Sequence, residues 1–115
     1  MGTGGNMAGP ITRGEVRLYR FPRPDKRRPV VVLTRESAIG HLSAVTVAPI
    51  TSTVRGVPSE VRLSEADGVK GECAVNLHNL VTVSKVHLGR RLAVLSDERL
   101  REICAAIGFA LGCSS

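Results

Sequence analysis

Tryptophan is absent from this 115-residue chain, and its aromatic side chains number only three: Tyr19, Phe21 and Phe109. A sheet that stacks unpaired bases on exposed rings needs a richer supply, so any recognition must rest on guanidinium, hydroxyl and amide groups. Cysteine is scarce too. Cys73, Cys104 and Cys113 are odd in number and widely spaced, with no CxxC pair and no histidine at ligand spacing. That pattern points away from disulfide, metal and redox roles, and the three thiols read as small core residues in a reducing cytosol. No cluster of His, Cys or carboxylate residues has metal-ligand spacing, so neither metal nor cofactor is expected. No run approaches the ~20 apolar residues of a membrane span, and the start has no apolar signal core. The expectation is a cytoplasmic protein with no membrane contact.

Charge is present, and it is concentrated. The net charge of +6 comes from 16 basic and 10 acidic residues. Between Arg13 and Arg35, Arg13, Arg17, Arg20, Arg23, Lys26, Arg27, Arg28 and Arg35 face only Glu15 and Asp25, while elsewhere the two signs balance. A field of this kind attracts a polyanion. The alternative is a solvated basic edge strand that uses charge against edge pairing.

Two segments give that charge a chemical setting. Arg28-Pro29-Val30-Val31-Val32-Leu33-Thr34 places a fork-shaped guanidinium before a β-branched run, and Val47-Ala48-Pro49-Ile50-Thr51-Ser52-Thr53 ends another in three hydroxyls. Two core strands with such ends suggest a phosphodiester site. At this length the chain is one domain able to bury a core without staples.

The pattern along the chain is mainly β. Gly-rich residues 1–12 read as a disordered leader and residues 13–115 as a single domain. Strands are predicted over Glu15 to Phe21, from Arg28 on through an apolar run buried on both faces, over Leu42 to Ile50, Ser59 to Leu63, Cys73 to Val83 and Val86 to Leu95. Arg35 to Gly40 reads as one helical turn or a loop, and Asp67-Gly68 marks a turn. Short, regularly spaced strands indicate a closed or nearly closed antiparallel barrel. Ser96, Asp97 and Glu98 start a helix whose stripe is Leu100, Ile103, Cys104, Ile107 and Leu111, laid on the sheet as core.

The order of the motifs resembles a known family. Arg13-Gly14-Glu15-Val16, Arg28-Pro29-Val30-Val31-Val32-Leu33, Val47-Ala48-Pro49-Ile50-Thr51 and Ala74-Val75-Asn76-Leu77 leading to Leu80-Val81-Thr82-Val83 are similar to the MazF/PemK toxins of toxin-antitoxin systems. The resemblance implies a small SH3-like β-barrel of the MazF/PemK/CcdB type, mainly β with one C-terminal helix. It also implies a homodimer, a cognate MazE-like antitoxin, and metal-independent, sequence-specific cleavage of single-stranded RNA (mRNA, tRNA or rRNA) that inhibits translation and growth. The expected ends are a 2′,3′-cyclic phosphate and a 5′-hydroxyl. Its catalytic arginine and threonine fall on Arg28 and Thr51.

Other residues follow from the chemistry. Arg27, Ser52, Thr53 and Arg55 are candidate RNA contacts. Many relatives carry a longer acidic loop before the Arg-Pro pair; here Asp25 is the nearest substitute, read either as a base or as a turn residue. His78-Asn79 stands where relatives have an acid and a glutamine. His78 is read as a base or base-reading residue, or else as surface, with Asn79 beside it as an RNA contact. His41 and His87 read as polar surface. Two competing functions stand beside the nuclease: a gyrase poison of the CcdB type and a non-catalytic nucleic-acid-binding barrel.

Overall fold

The computed structural model describes residues 10–22 and 27–113. Among these residues seven strands form: β1 (Glu15–Arg20), β2 (Arg27–Val32), β3 (Ala44–Thr51), β4 (Glu60–Leu63), β5 (Cys73–Asn76), β6 (Val81–Ser84) and β7 (Leu88–Val94). Two helices accompany them, the single turn α1 (Glu36–Ile39) and α2 (Asp97–Leu111). All pairing is antiparallel, in the order β4-β5-β3-β2-β1-β7. The eight residues of β3 serve two partners on one edge: Ala44 to Val47 pair with β6, and Ile50 and Thr51 with β5.

The sheet is not closed. Among the described residues no pairing joins the end strands β4 and β7, so of the expected closed or nearly closed barrel the fully closed form is corrected. The register of β1 with β7 is interrupted twice, between Val16 and Arg17 and between Arg17 and Tyr19. Irregularities of this kind bend a strand away from its neighbours.

The strand predicted over Cys73 to Val83 is in fact two. Asn76 ends β5 by accepting the His78 amide on its side chain at 2.9 Å, a local bond that competes with sheet pairing. Likewise the strand predicted over Val86 to Leu95 begins only at Leu88, because Lys85–His87 form a 3-10 turn. The turn predicted at Asp67-Gly68 is a capped 3-10 helix, Glu65–Asp67, closed by Gly68 at φ +93°.

The apolar run of β2 is buried on both faces, as its composition predicts. Val31 joins Val16, Ala48, Ile50 and α2's Ile103 in one core, while Val30 and Val32 join Ile39, Val45, Val47 and Val83 in another. Burying each of these valines contributes about 1.5–3 kcal/mol. Helix α2 starts where predicted, with Ser96 Oγ accepting the Arg99 amide at 3.2 Å. Its inward stripe is narrower than expected: Ile103 and Ala106 are buried, whereas Cys104 and Leu111 are exposed. Cys113 is exposed as well, so only Cys73 is partly buried and the core reading fails for the other two thiols.

The basic segment also differs from a simple charged face. Arg17 is 1% exposed and Glu15 0%. Arg17 donates to Glu15 at 2.9 Å and to the carbonyls of Gly89 and Pro10 at 3.1 and 3.3 Å, and Arg91 approaches the same carboxylate at 3.4 Å. Burial pushes the Glu15 carboxyl up, but the Thr12 amide and the Arg17 guanidinium outweigh it, leaving its pKa below the ordinary value. Part of the +6 therefore ties the β1–β7 pairing together. Of the expected leader, residues 1–9 lie outside the described residues, while Pro10 and Thr12 bond to Arg17 and Glu15. Among the described residues no helix is long and apolar enough to cross a membrane.

Candidate active site

Strand β2 starts with Arg27-Arg28 and β3 ends in Thr51. Val30 pairs with Pro49; two positions further along the same antiparallel register are Arg28 and Thr51. Both line one cleft of about 720 Å³, together with Ser52. Its apolar wall is Val16, Leu18, Pro29 and Ile50. Thr51 Oγ1 accepts the Thr53 amide at 3.1 Å. The hydroxyl's own proton is therefore left to donate to a bound anion.

Three charged residues on the cleft wall were not predicted: Lys70, Glu72 and Arg90. Lys70 and Glu72 lie in the segment before β5, and Arg90 on β7. Strand alternation separates the Arg90-Arg91 dipeptide, sending Arg90 to the cleft and Arg91 to Glu15. Two adjacent arginines, too few to read as a binding motif, thus gain meaning only from the fold. Cys73 also borders the cleft; burial and then the Asp67 carboxylate push its thiol up. It is protonated at neutral pH and a poor nucleophile.

The remaining predicted residues lie elsewhere or cannot be placed. Asp25 lies outside the described residues. Arg27 is exposed opposite Arg20 and does not line the cleft. Thr53 is exposed and contributes its amide to Thr51. The Arg55 and Gly56 amides both bind Glu60 Oε1 at 2.9 Å, which fixes the loop after β3.

His78 and Asn79 occupy the turn after β5 and do not line the cleft. His78 Nε2 is hydrogen-bonded to the buried hydroxyl of Ser59. The physical reason is the Asn76 turn: it ends β5 and directs the next residue towards the start of β4, where Leu77 also bonds Ser59's carbonyl at 3.0 Å. Among the described residues no group of three or more His, Cys, Asp or Glu could hold a metal ion.

The profile of the PemK-like, MazF-like toxins of type II toxin-antitoxin systems matches residues 12–111. A probable endoribonuclease, MazF5 of Mycobacterium tuberculosis, is 47% identical over 89 residues, 76% of this chain and 82% of the relative. The endoribonuclease MazF3 of the same species is 42% identical, covering 83% of this chain and 92% of its own. The chain belongs to the MazF-type family of toxin endoribonucleases. The fold agrees: the solved M. tuberculosis toxin MazF-mt6 superposes with a TM-score of 0.80 at 36% identity, covering 88% of this chain and 99% of that one. This membership favours the nuclease reading over the gyrase poison and the non-catalytic barrel.

Proposed function

We propose that this MazF-type chain cleaves single-stranded RNA in the Arg28–Thr51 cleft, without a metal ion. The observation that carries this reading is that a guanidinium residue and two hydroxyl residues from neighbouring strand ends line one cleft. In the proposed step the 2′-hydroxyl attacks the adjacent phosphorus, its proton passes to a base, and the 5′-oxygen leaves with a proton. The fragments end in a 2′,3′-cyclic phosphate and a 5′-hydroxyl. Negative charge grows on the non-bridging oxygens in the transition state. Arg28 offers several fixed donors to that charge, and Thr51 offers one hydroxyl proton.

The same reading includes two partners. One solved relative is an endoribonuclease in complex with its cognate antitoxin, which supports a cognate, MazE-like antitoxin for this chain; the cations of the cleft suit one that presents acidic groups there. Exposed Val86, Val94, Phe109 and Leu111 offer apolar surface for a second copy. The experiment is to incubate the protein with a long single-stranded RNA in excess chelator and analyse the fragment ends. Cyclic phosphate and 5′-hydroxyl ends support the reading, and 3′-hydroxyl or 5′-phosphate ends reject it.

A further inference from the structure

Arg90 and Lys70 reach the cleft from segments held side by side. Gly68, in the left-handed region, packs on β7 so closely that a Cβ there would lie 3.0 Å from the Ala93 methyl carbon. This contact sets the 68–72 segment beside the outer strand of the sheet. Lys70 follows Gly68 by two residues, and Arg90 precedes Ala93 by three. Both residues are exposed, and both line the wall of the cleft that also contains Arg28 and Thr51.

The charges there are unbalanced. Among the described residues, Lys70 and Arg90 bring two cations to the cleft beyond Arg28, against Glu72 as its single carboxylate. Arg91, unlike Arg90 beside it, has a carboxylate at 3.4 Å. One phosphate at Arg28 and Thr51 would leave Lys70 and Arg90 for a further phosphate. A single-stranded nucleic acid carries a phosphate at every nucleotide, so a strand crossing this cleft presents neighbouring phosphates to that wall.

We propose that Lys70 and Arg90 form a second phosphate-binding element, which holds the RNA backbone beside the scissile phosphate and so sets how the strand crosses the cleft. The proposal rests on the nuclease reading of this cleft, and the test separates the two. Lys70 acts as a point charge, whereas Arg90 can grip two phosphate oxygens at once. Both are exposed, Lys70 in a loop and Arg90 on β7, so substituting either should spare the fold.

The test is equilibrium binding of a labelled 2′-O-methyl oligonucleotide of mixed sequence, which has no free 2′-hydroxyl to react, across a range of salt concentrations. Each phosphate contact to a single strand contributes about 0.7 to the slope of log affinity against log salt. Lys70→Gln and Arg90→Gln should each weaken binding and lower the slope by about that amount, and the double variant by about twice it. Arg90→Lys keeps the charge and should restore the slope. Arg101→Gln removes an exposed cation of α2 that does not line the cleft, and should leave the slope unchanged. A double variant with the wild-type slope overturns the proposal. So does an equal loss in Arg101→Gln, which would make the effect one of net charge, or a failure of Arg90→Lys to restore it. Cleavage of unmodified RNA by the wild type, measured alongside, tests the nuclease reading independently.

Discussion

Arg17 Nε lies 2.9 Å from Glu15 Oε1, and both side chains are shielded from solvent on the same strand. The pair is spaced i, i+2, so both residues face the same side of β1, and Arg91 of β7 completes a three-residue cluster. Replacing one member of a buried pair leaves the other charge poorly compensated, a loss of about 3–5 kcal/mol. Glu15→Gln should therefore destabilise the fold by an amount in that range. Urea denaturation measures it, and a loss below about 1 kcal/mol would mean that the cluster is effectively solvated.

Acid should unfold the protein through two carboxylates. The Arg99 guanidinium, bonded at 2.9 Å, and the Ser64 amide hold Asp67 below its usual 3.8 against the opposing effect of burial. Glu15 is likewise held below its usual 4.5. Both have folded pKa values below the unfolded ones. Their stabilisation is therefore full above the ordinary carboxylate range and is lost as pH falls through it towards the folded values. Asp67→Asn should be less stable than wild type at neutral pH and show a shallower acid decline. Parallel curves for the two proteins would remove Asp67 from the linkage.

Gly68→Ala should cost roughly 1–2 kcal/mol from its positive φ alone, and more because its methyl would crowd Ala93. Since this contact places Lys70 beside β7, RNA affinity should fall along with the melting temperature. A variant with wild-type stability would show that the segment relocates at little cost.

Much of the fold is legible in the sequence because it depends on local signals. The Val30–Val32 run announces a strand buried on both faces, Ser96 announces the start of α2, and Asp67-Gly68 announces a tight turn. Thr51 and Arg28 are legible as polar ends of apolar strands. The break at Asn76 was signalled by an Asn within an apolar run, but strand propensity on either side concealed it. Arg17 could have been found from its spacing to Glu15, had the charges been read by strand face and not by sum. Lys70 and Arg90 could not. Their meeting depends on Gly68 packing against Ala93, a contact between residues 25 positions apart in the chain, and nothing local encodes it.

Thr51→Val keeps the β-branched shape but removes both the donor and the acceptor used by Thr53's amide. Turnover should fall at least tenfold, about 1.4 kcal/mol of barrier, with little change in stability because the site is only partly buried. A loss under threefold would make Thr51 structural.

The most direct test of the central claim is the cleavage rate of Arg28→Ala on single-stranded RNA under single-turnover conditions, on protein whose melting curve shows it folded. Removing a preorganised donor from a developing oxyanion costs roughly 10²–10³ in rate, and in the proposed step Arg28 would supply more than one. We expect a loss of at least that size in a folded variant. A folded Arg28→Ala protein that cuts RNA within a few-fold of the wild-type rate would contradict the account.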